Sequence, residues 1–359
     1  MPGGETLTVA AMSDRLQRLL AERPYLLADG ATGTNLFERG LTTGDAPEMW
    51  NIERPDRVER LHRDMIEAGA DIILTNSFGG TRYRLKLHKA ENRVAEINQA
   101  AARLARRVAD AEGRRLGREI VVAGSMGPTG ELFEPLGPLT VAAGADAFAE
   151  QARALAAGGA DVLWVETMSS TDELRAALAG AGTTGLPVVC TVSFDTNGRT
   201  MMGVTPVEIA AFCHGIEPKP AAFGANCGVG PAELVAALVN MADAELPGDV
   251  IVAKSNCGVP YFVEGQIRYD GTPELMAAYA RLARDAGARI VGGCCGTTPA
   301  HLKTIRDALD GYEPQGRPTL ADIVARLGQV SRGAESQSAG EEPPARRHGG
   351  RRRRGEAGA

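Results

Sequence analysis

The feature that most constrains the fold is a regular alternation of short apolar runs with longer segments of helical periodicity. Each run is almost continuously apolar, as expected for a strand buried on both faces of a parallel sheet. Eight runs are predicted to be strands: Tyr25–Asp29, Asp71–Thr75, Glu119–Ser125, Asp161–Glu166, Pro187–Phe194, Ala221–Asn226, Asp249–Ser255 and Ala288–Gly293. Helices are predicted in the intervals, including Pro55–Ala68, Arg93–Ala111, Val141–Ala157, Thr171–Ala181, Pro231–Ala242 and Pro273–Ala286.

This alternation predicts an α/β fold, a single (β/α)8 TIM barrel. The main alternative is an open doubly wound sheet, which usually carries a Gly-x-Gly-x-x-Gly turn after its first strand. Here that turn reads Asp29-Gly30-Ala31-Thr32-Gly33, which favours the barrel. Helix-start signals support the same alternation: Ser170 with Glu173 is typical of a capping box, and Thr298-Pro299 of an N-cap followed by proline.

The composition changes near Ser331. Residues 331–359 contain seven Arg and four acidic residues among Gly, Ser and Pro, with almost no large apolar side chain. Such a segment cannot bury enough surface to offset its ordering entropy. We therefore predict a barrel domain over residues 1–330 and a disordered, Arg-rich tail over residues 331–359. The tail is either simply solvated or contacts nucleic acid, anionic lipid or an acidic partner.

Charge and cysteine content restrict the class of protein. The whole chain has a formal net charge of −6, and without the basic tail it has −9, which argues against nucleic-acid binding by the barrel. The sequence contains neither an apolar run of about 18 residues nor the layout of a secretory signal. Six cysteines, two of them adjacent, fit a reducing compartment. These features predict a cytoplasmic protein that does not enter a membrane.

Three cysteines stand where strands of the predicted barrel end. Cys227 follows the sixth strand, and Cys294 and Cys295 follow the eighth. The active site of a TIM barrel lies at the C-terminal ends of its strands, so these thiols can converge on one ion. Three thiolates with an exchangeable fourth position are typical of catalytic zinc, and soft sulfur selects zinc over magnesium or calcium. A vicinal disulfide is the alternative, and a reducing compartment disfavours it.

The other cysteines and most histidines are predicted to be structural. Free cysteine is commonly buried, so Cys190 and Cys213 are interpreted as packing residues. Cys257 follows the seventh strand but is predicted to lie outside the ligand set. Four histidines fall in helices or their flanks: His62, His88, His214 and His301. Their positions disfavour a hydrolytic site with histidine ligands.

A zinc ion held by three thiolates suggests chemistry on sulfur. Such a centre carries a net negative charge, so it polarises carbonyls weakly but still binds and deprotonates an incoming thiol. Methyl or alkyl transfer to that thiolate follows. Asp29 and Glu166 end the first and fourth strands, where they can meet an α-ammonium group. Backbone amides of the turn at Gly30 and Ala31 can bind an α-carboxylate. The sequence therefore predicts an amino-acid thiol as substrate.

Several segments match one known family. From residue 20 to 312 the chain resembles the homocysteine S-methyltransferases in Asp29-Gly30-Ala31-Thr32-Gly33-Thr34, Leu74-Thr75-Asn76-Ser77-Phe78-Gly79, Gly124-Ser125-Met126-Gly127-Pro128-Thr129-Gly130, Asn226-Cys227-Gly228 and Gly292-Gly293-Cys294-Cys295-Gly296-Thr297-Thr298-Pro299. The resemblance implies a zinc barrel with Cys227, Cys294 and Cys295 as ligands. It also implies that Asp29 and Glu166 bind the amino group of homocysteine.

The resemblance also suggests a fourth zinc position. Asn256, in Lys254-Ser255-Asn256-Cys257-Gly258, matches an asparagine that fills this position in cobalamin-dependent methionine synthase until homocysteine displaces it. That match leaves Cys257 outside the ligand set. The implied reaction is the formation of methionine by methyl transfer to a zinc-bound homocysteine thiolate.

The sequence constrains the methyl donor less than it constrains the methyl acceptor. Betaine is the donor that we expect first. The chain resembles short bacterial proteins described as betaine–homocysteine methyltransferases, and equally the homocysteine-binding module of cobalamin-dependent methionine synthase. A quaternary ammonium is expected to need an aromatic cage. Animal betaine enzymes carry tyrosines where this chain has Gly79 and Thr167. A different cage would have to come from Trp50, Phe78, Phe133 or Tyr261.

Three alternatives stay open. Another onium compound such as S-methylmethionine could replace betaine. The chain could instead be a homocysteine-activating subunit of a split methionine synthase, receiving methyl groups from methylcobalamin on a separate protein. A non-enzymatic zinc protein whose basic tail recruits nucleic acid is the third alternative, and a homo-oligomer is compatible with each of them.

Overall fold

Eight parallel strands form a closed barrel at the centre of the computed structural model, which describes residues 15–195, 197–244, 246–263 and 266–340. The barrel strands are β1 (Leu26–Leu27), β2 (Ile72–Leu74), β3 (Val121–Met126), β4 (Val162–Met168), β5 (Val188–Val192), β6 (Ala222–Cys227), β7 (Ile251–Ser255) and β10 (Ala288–Gly293). They follow the order β1-β10-β7-β6-β5-β4-β3-β2 around the barrel. A parallel bridge between Ala28 and Ile72 joins β1 to β2 and closes the ring. The predicted TIM barrel and all eight predicted strands are confirmed.

Helices surround the barrel and connect its strands. The described helices are α1 (Arg15–Glu22), α2 (Gly33–Glu38), α3 (Trp50–Glu53), α4 (Pro55–Glu67), α5 (Arg82–Lys86), α6 (Val94–Leu116), α7 (Val141–Ala157), α8 (Thr171–Gly182), α9 (Pro206–Gly215), α10 (Pro231–Met241), α11 (Pro273–Asp285), α12 (Pro299–Leu309), α13 (Leu320–Leu327) and α14 (Arg332–Ser338). In the ranges that the structure covers, none of them combines the length and the apolar character needed to span a bilayer.

Two predicted helix starts differ in how completely they form. At the start of α12 the Thr298 hydroxyl accepts the backbone N–H of His301, and the Nδ1 atom of His301 accepts the backbone N–H of Thr298 at 3.2 Å, which completes a capping box. The Ser170 hydroxyl accepts a hydrogen bond from the backbone N–H of Glu173 at the start of α8. The Glu173 carboxylate, however, accepts hydrogen bonds from the backbone N–H and hydroxyl of Thr129. Half of the predicted capping box at Ser170 therefore forms, because the glutamate is engaged by another loop.

An apolar interior fills the lower part of the barrel. Alternate residues of each strand point inward, and their side chains form one cluster around Trp164. Leu16 and Leu19 of α1 belong to the same cluster, so α1 covers the end of the barrel where the strands begin. We call the other end of the barrel, where the strands end, the mouth.

Two buried aspartates organise the closed end. Asp71 pairs with Arg23 at 2.8 Å, with Arg118 at 3.1 Å and with Arg306, and also accepts the N–H of Leu27 at 2.9 Å. Asp161 pairs in the same way with Arg15 and Arg106. These ion pairs connect α1, α6 and α12 to the beginnings of the strands.

An antiparallel hairpin interrupts the connection between β7 and α11. It consists of β8 (Pro260–Val263) and β9 (Gln266–Tyr269). The sequence analysis did not predict it, because this stretch does not continue the strand and helix alternation of the barrel. The hairpin lies on the mouth side, since it follows the C-terminal end of β7.

The first part of the predicted disordered tail is folded. Ser331 caps α14, whose Ser338 hydroxyl donates to Asn240 of α10 at 2.9 Å. A Cβ on Gly333 would lie 2.0 Å from the carbonyl oxygen of Asn197, so glycine permits this close backbone approach. The prediction of disorder from residue 331 was wrong for residues 331–340, because small residues rather than large apolar ones make the contact. Residues 341–359, with Arg346, Arg347 and Arg351 to Arg354, lie outside the described residues.

Replacing Asp71 with alanine tests the role of the closed end. We expect the free energy of unfolding to fall by about 3–5 kcal/mol, because the arginines around Asp71 would lose a buried partner. Urea denaturation measures the change. Asp307→Ala removes an exposed carboxylate on α12 and is expected to stay within about 0.5 kcal/mol of the wild type. Equal effects of the two substitutions would contradict the assignment.

Candidate metal centre

The parallel register places the three predicted cysteines together at the mouth. Cys227 of β6 pairs with Ser255 of β7, and Ser255 pairs with Gly293 of β10. Strands β6 and β10 therefore end at the same level, and Cys294 and Cys295 follow directly. The sulfur of Cys227 lies 3.4 Å from that of Cys294 and 3.7 Å from that of Cys295. All three sulfurs lie within 4.8 Å of one another.

These distances can be compared with the geometry of a metal site. Four thiolates at about 2.3 Å around a tetrahedral zinc ion would be separated by about 3.8 Å. The two printed sulfur separations of Cys227, 3.4 and 3.7 Å, are close to that value. The cluster therefore offers one face of a tetrahedron to a thiophilic ion.

Unusual backbone conformations direct the thiols toward each other. Cys227 has a φ of 61° and Gly228 a φ of 70°, so the chain turns sharply where β6 ends. For a residue with a side chain this left-handed conformation costs about 1–3 kcal/mol. Gly296 has a φ of 78°, and a Cβ there would lie 2.5 Å from the ring of Tyr269. Both turns thus depend on glycine next to cysteine.

Asn256 connects the two cysteine turns. Its side-chain oxygen accepts the N–H of Cys295 at 3.1 Å, and its amide nitrogen donates to the carbonyl oxygen of Gly228 at 2.7 Å. The oxygen retains a second lone pair. Cys257 is buried and its thiol donates to the carbonyl oxygen of Gly271 at 3.3 Å. Its sulfur is absent from the group of three cysteines that the described residues place within metal-binding distance.

Asn226 is a buried polar residue that the sequence analysis did not single out. Its side-chain oxygen accepts the N–H of Thr167 at 2.9 Å and the hydroxyl of Thr191 at 2.7 Å. Its amide nitrogen donates to the Thr167 hydroxyl at 2.8 Å and approaches the sulfur of Cys294 at 3.8 Å. Thr167 has a φ of 63°. Asn226 therefore holds the strained residue after Glu166 and contacts the cysteine cluster.

Asp29 is buried in an ion pair. One carboxylate oxygen accepts the N–H of Leu74 at 2.8 Å, and the other accepts the ammonium of Lys254 at 2.8 Å. Burial alone would lower the pKa of Lys254, but the nearby charges of Asp29 and Glu166 raise it above its ordinary value. Lys254 was missed because it lies within an apolar run. Alternate residues of a strand face the same side, and Val252, Lys254 and Asn256 form one such series. Because Val252 faces the barrel interior, the sequence could have placed Lys254 there as well.

Glu166 lies at the mouth with the cysteines. The hydroxyl of Ser125 donates to its carboxylate. Burial raises the pKa of Glu166 to about 7, while the charge of Lys254 opposes that shift. The structure thus brings both predicted acids, Asp29 and Glu166, into the same charge cluster. It also shows that the N–H of Ala31 already donates to the carbonyl oxygen of Thr297 at 3.1 Å, so a carboxylate bound there would have to share or replace this bond.

The cysteines influence each other's protonation. Hydrogen bonds with Cys227, Cys294 and Tyr269 hold the pKa of Cys295 well below its ordinary value. The hydrogen bonds to Cys294 and Cys295 raise the pKa of Cys227 well above it. Tyr269 of the hairpin is therefore part of the hydrogen-bonding environment of the cysteine cluster.

Comparisons with known proteins agree with this geometry. The sequence model described as homocysteine S-methyltransferase matches residues 26–309. Methionine synthase of Mycobacterium tuberculosis (strain H37Rv) is 36% identical over 325 residues, covering 86% of this chain and 26% of the relative. Methionine synthase of Mycobacterium leprae is 34% identical over 320 residues, covering 84% and 26%. The chain therefore spans about a quarter of the length of these curated relatives.

A solved structure extends the comparison to three dimensions. The metallated form of the homocysteine methyltransferase MmuM from Escherichia coli is 25% identical to this chain, with a TM-score of 0.69. The alignment covers 81% of this chain and 99% of that protein. The barrel described above is therefore similar, over most of its length, to that of an enzyme whose structure was determined with metal.

Glu166→Gln should change the pH dependence of folding in the metal-free protein. The pKa of Glu166 is about 7 in the folded protein against an ordinary value of 4.5, so the folded state binds this proton more tightly. The resulting stabilisation is complete below pH 4.5 and is lost as the pH rises through 7. The loss amounts to at most about 3 kcal/mol. Across this range the variant should gain stability relative to the wild type in denaturant titrations, and a constant difference would contradict the pKa shift.

Proposed function

The chain belongs to the homocysteine S-methyltransferase family, and from that premise we propose that it uses zinc to methylate homocysteine and form methionine. The observation that carries the proposal is the convergence of Cys227, Cys294 and Cys295 at the mouth. Soft sulfur donors in this number favour zinc among the common divalent ions and leave one tetrahedral position for a visiting thiol.

Each part of the mouth has a role in this proposal. When bound, zinc would supply a position at which a thiol loses its proton near neutral pH. Cys227, Cys294 and Cys295 hold the ion, and Asn256 fixes the distance between their two turns and is the proposed exchangeable fourth ligand. The α-amino and α-carboxylate groups of homocysteine lie in the charge cluster next to the cysteines. The residues proposed to surround it are Asp29, Gly30, Ala31 and Glu166.

Betaine is the proposed methyl donor, and the aromatic residues differ in their ability to contact it. Trp50 is buried, with the guanidinium of Arg57 over its ring, and Phe133 is buried against Gly144. Phe78 is exposed in the loop that follows β2, and Tyr261 is exposed in strand β8 of the hairpin that follows β7. Any aromatic contact with a quaternary ammonium would therefore come from Phe78 and Tyr261 rather than from all four candidates.

A second candidate function is favoured by the apolar character of the mouth rim. Almost all exposed large apolar residues of the described chain lie in segments that follow the C-terminal ends of strands: Phe37, Ile52, Phe78, Leu87, Leu132, Leu136, Met201, Met202, Val207, Val229, Val259, Tyr261 and Val263. Where such residues join into a contiguous patch, that patch marks a protein interaction site. The chain would then load homocysteine and receive the methyl group from methylcobalamin on a separate protein that covers the mouth.

Metal content tests the zinc proposal. Cys295→Ala should lose bound zinc, because two thiolates and an amide cannot replace three thiolates, and should lose turnover with it. Cys213→Ala, which removes a buried thiol of α9, is the matched control and should keep one zinc per chain. Elemental analysis of both purified variants gives the result. Equal zinc in the two would remove the basis of the proposal.

Turnover with defined donors separates the two candidate functions. The purified chain, homocysteine and betaine should yield methionine without another protein. If methionine forms only when a methylcobalamin protein is added, the second candidate is correct. In that case Met201→Asp, at a residue that is 69% exposed, should raise the concentration of partner protein needed for half-maximal turnover at least about tenfold, because it places a charge in the interface.

A further inference from the structure

A cavity of about 560 Å³ lies on the mouth side of the barrel, between two segments that follow the ends of β1 and β2. One wall comes from residues 40–57, and the other comes from residues 88–93, which join α5 to α6. The described residues that line it include neither the three cysteines nor Asp29 and Glu166. Its volume is that of a small-molecule site, and the reaction proposed above does not use it.

The lining of this cavity is rich in basic side chains. Its charged residues are four cations and two carboxylates: Arg54, Arg57, Lys89, Arg93, Asp45 and Glu53. Four cations and two carboxylates leave a net charge of +2, although the chain without its basic tail has a net charge of −9. A concentration of positive charge in a concave site raises the local concentration of anions.

Three of these cations have no acidic partner in the described part of the chain. Arg93 forms an ion pair with Glu96 at 2.8 Å, but no described carboxylate pairs with Arg54, Arg57 or Lys89. Arg54 and Arg57 each donate to a backbone carbonyl oxygen instead. A guanidinium has five N–H donors, so most of the donors of both arginines remain for a ligand.

Lys89 stands where a helix end normally carries glycine. Its φ is 58°, in the left-handed region. The N–H of Lys89 donates to the carbonyl oxygen of Lys86 at 3.1 Å, and the N–H of Ala90 donates to that of Leu85 at 3.0 Å. These two bonds form a Schellman motif, whose left-handed residue is usually glycine. Lysine is strained at this position, and a residue that breaks a local rule in this way is expected at a functional site.

Arg57 is held in place before any ligand arrives. Its guanidinium lies 5.0 Å from the ring centre of Trp50, and a Cβ on Gly40 would lie 2.9 Å from its Nη1 atom. Such a guanidinium loses little freedom when it binds an anion. Asp45, one of the two acids, is engaged by its own loop, because its carboxylate accepts the hydroxyl of Thr42 at 2.6 Å.

We propose that this cavity binds a small molecule with two or more anionic groups, either a phosphate ester or a polycarboxylate. The planar forks of Arg54 and Arg57 match the oxygens of carboxylate and phosphate groups, and Lys89 adds a point charge. Binding at this site requires neither zinc nor homocysteine.

Titration calorimetry with three anions tests the proposal. The purified chain is titrated with pyrophosphate, tricarballylate and acetate in about 50 mM sodium chloride, which screens charges only partly. Pyrophosphate or tricarballylate should bind at least about tenfold more tightly than acetate, because several cations act on one ligand. The tighter of the two polyanions shows whether the natural ligand carries phosphate or carboxylate groups. If neither binds more tightly than acetate, the proposal is wrong.

Variants assign the binding to the cavity. Lys89→Gly and Arg54→Gln should each weaken binding of the tighter polyanion at least about fivefold. Lys89→Gly should not lower the melting temperature, because glycine adopts the left-handed conformation without strain. Lys86→Gln is the matched control: it removes the same charge from an exposed residue of α5 that does not line the cavity. Its affinity should stay within about twofold of the wild type.

The comparison of these variants separates the cavity from other sources of anion binding. A polyanion held by a bound metal ion would be held equally in all three variants. Equal losses of affinity in Lys86→Gln and Lys89→Gly would indicate a general effect of charge and overturn the proposal. Wild-type affinity in a folded Lys89→Gly variant would also overturn it. If Lys89→Gly does not fold, Arg54→Gln against Lys86→Gln decides the question in the same way.

Discussion

The parallel hydrogen-bond ladder across β6, β7 and β10 is the constraint on which the site depends. It aligns Cys227, Ser255 and Gly293 at one level of the barrel. Since parallel strands all point the same way, residues that are 67 positions apart in sequence reach the same ion-sized space. No local motif could achieve this, and a shift of one residue in either pairing would turn an inward side chain outward.

Charge is concentrated just above an apolar interior. Trp164 and its neighbours fill the barrel below, while Asp29, Glu166 and Lys254 lie above them with the cysteines. In such surroundings each ion needs a specific partner, because water does not screen it. The ion pair between Asp29 and Lys254 meets that need, whereas burial leaves Glu166 with a pKa of about 7. The mouth thus combines the ion pair of Asp29 and Lys254 with a carboxyl group, that of Glu166, whose pKa lies near neutral pH.

The sequence was sufficient where a single rule decides the outcome. Continuous apolar runs predicted the barrel, and cysteines at strand ends predicted the cluster. The sequence analysis did not identify Lys254 and Asn226, because it treated their strands as uniformly apolar. It did not ask which polar residues of these strands point into the barrel. The hairpin of β8 and β9 and the helix α14 do not follow the barrel alternation. Their formation depends on contacts with the finished barrel, such as that between Gly333 and Asn197, which local composition does not reveal.

The helix α1 has a consequence for the order of events in the proposed reaction. Leu16 and Leu19 cover the end where the strands begin, so in the described part of the chain the cysteines are approached from the opposite end. A thiol anchored deep beside the cysteines is then covered by whatever delivers the methyl group. In the proposed reaction, homocysteine and the methyl donor would therefore share one entrance, and the thiol beside the cysteines would have to be in place before a donor large enough to cover the mouth approached.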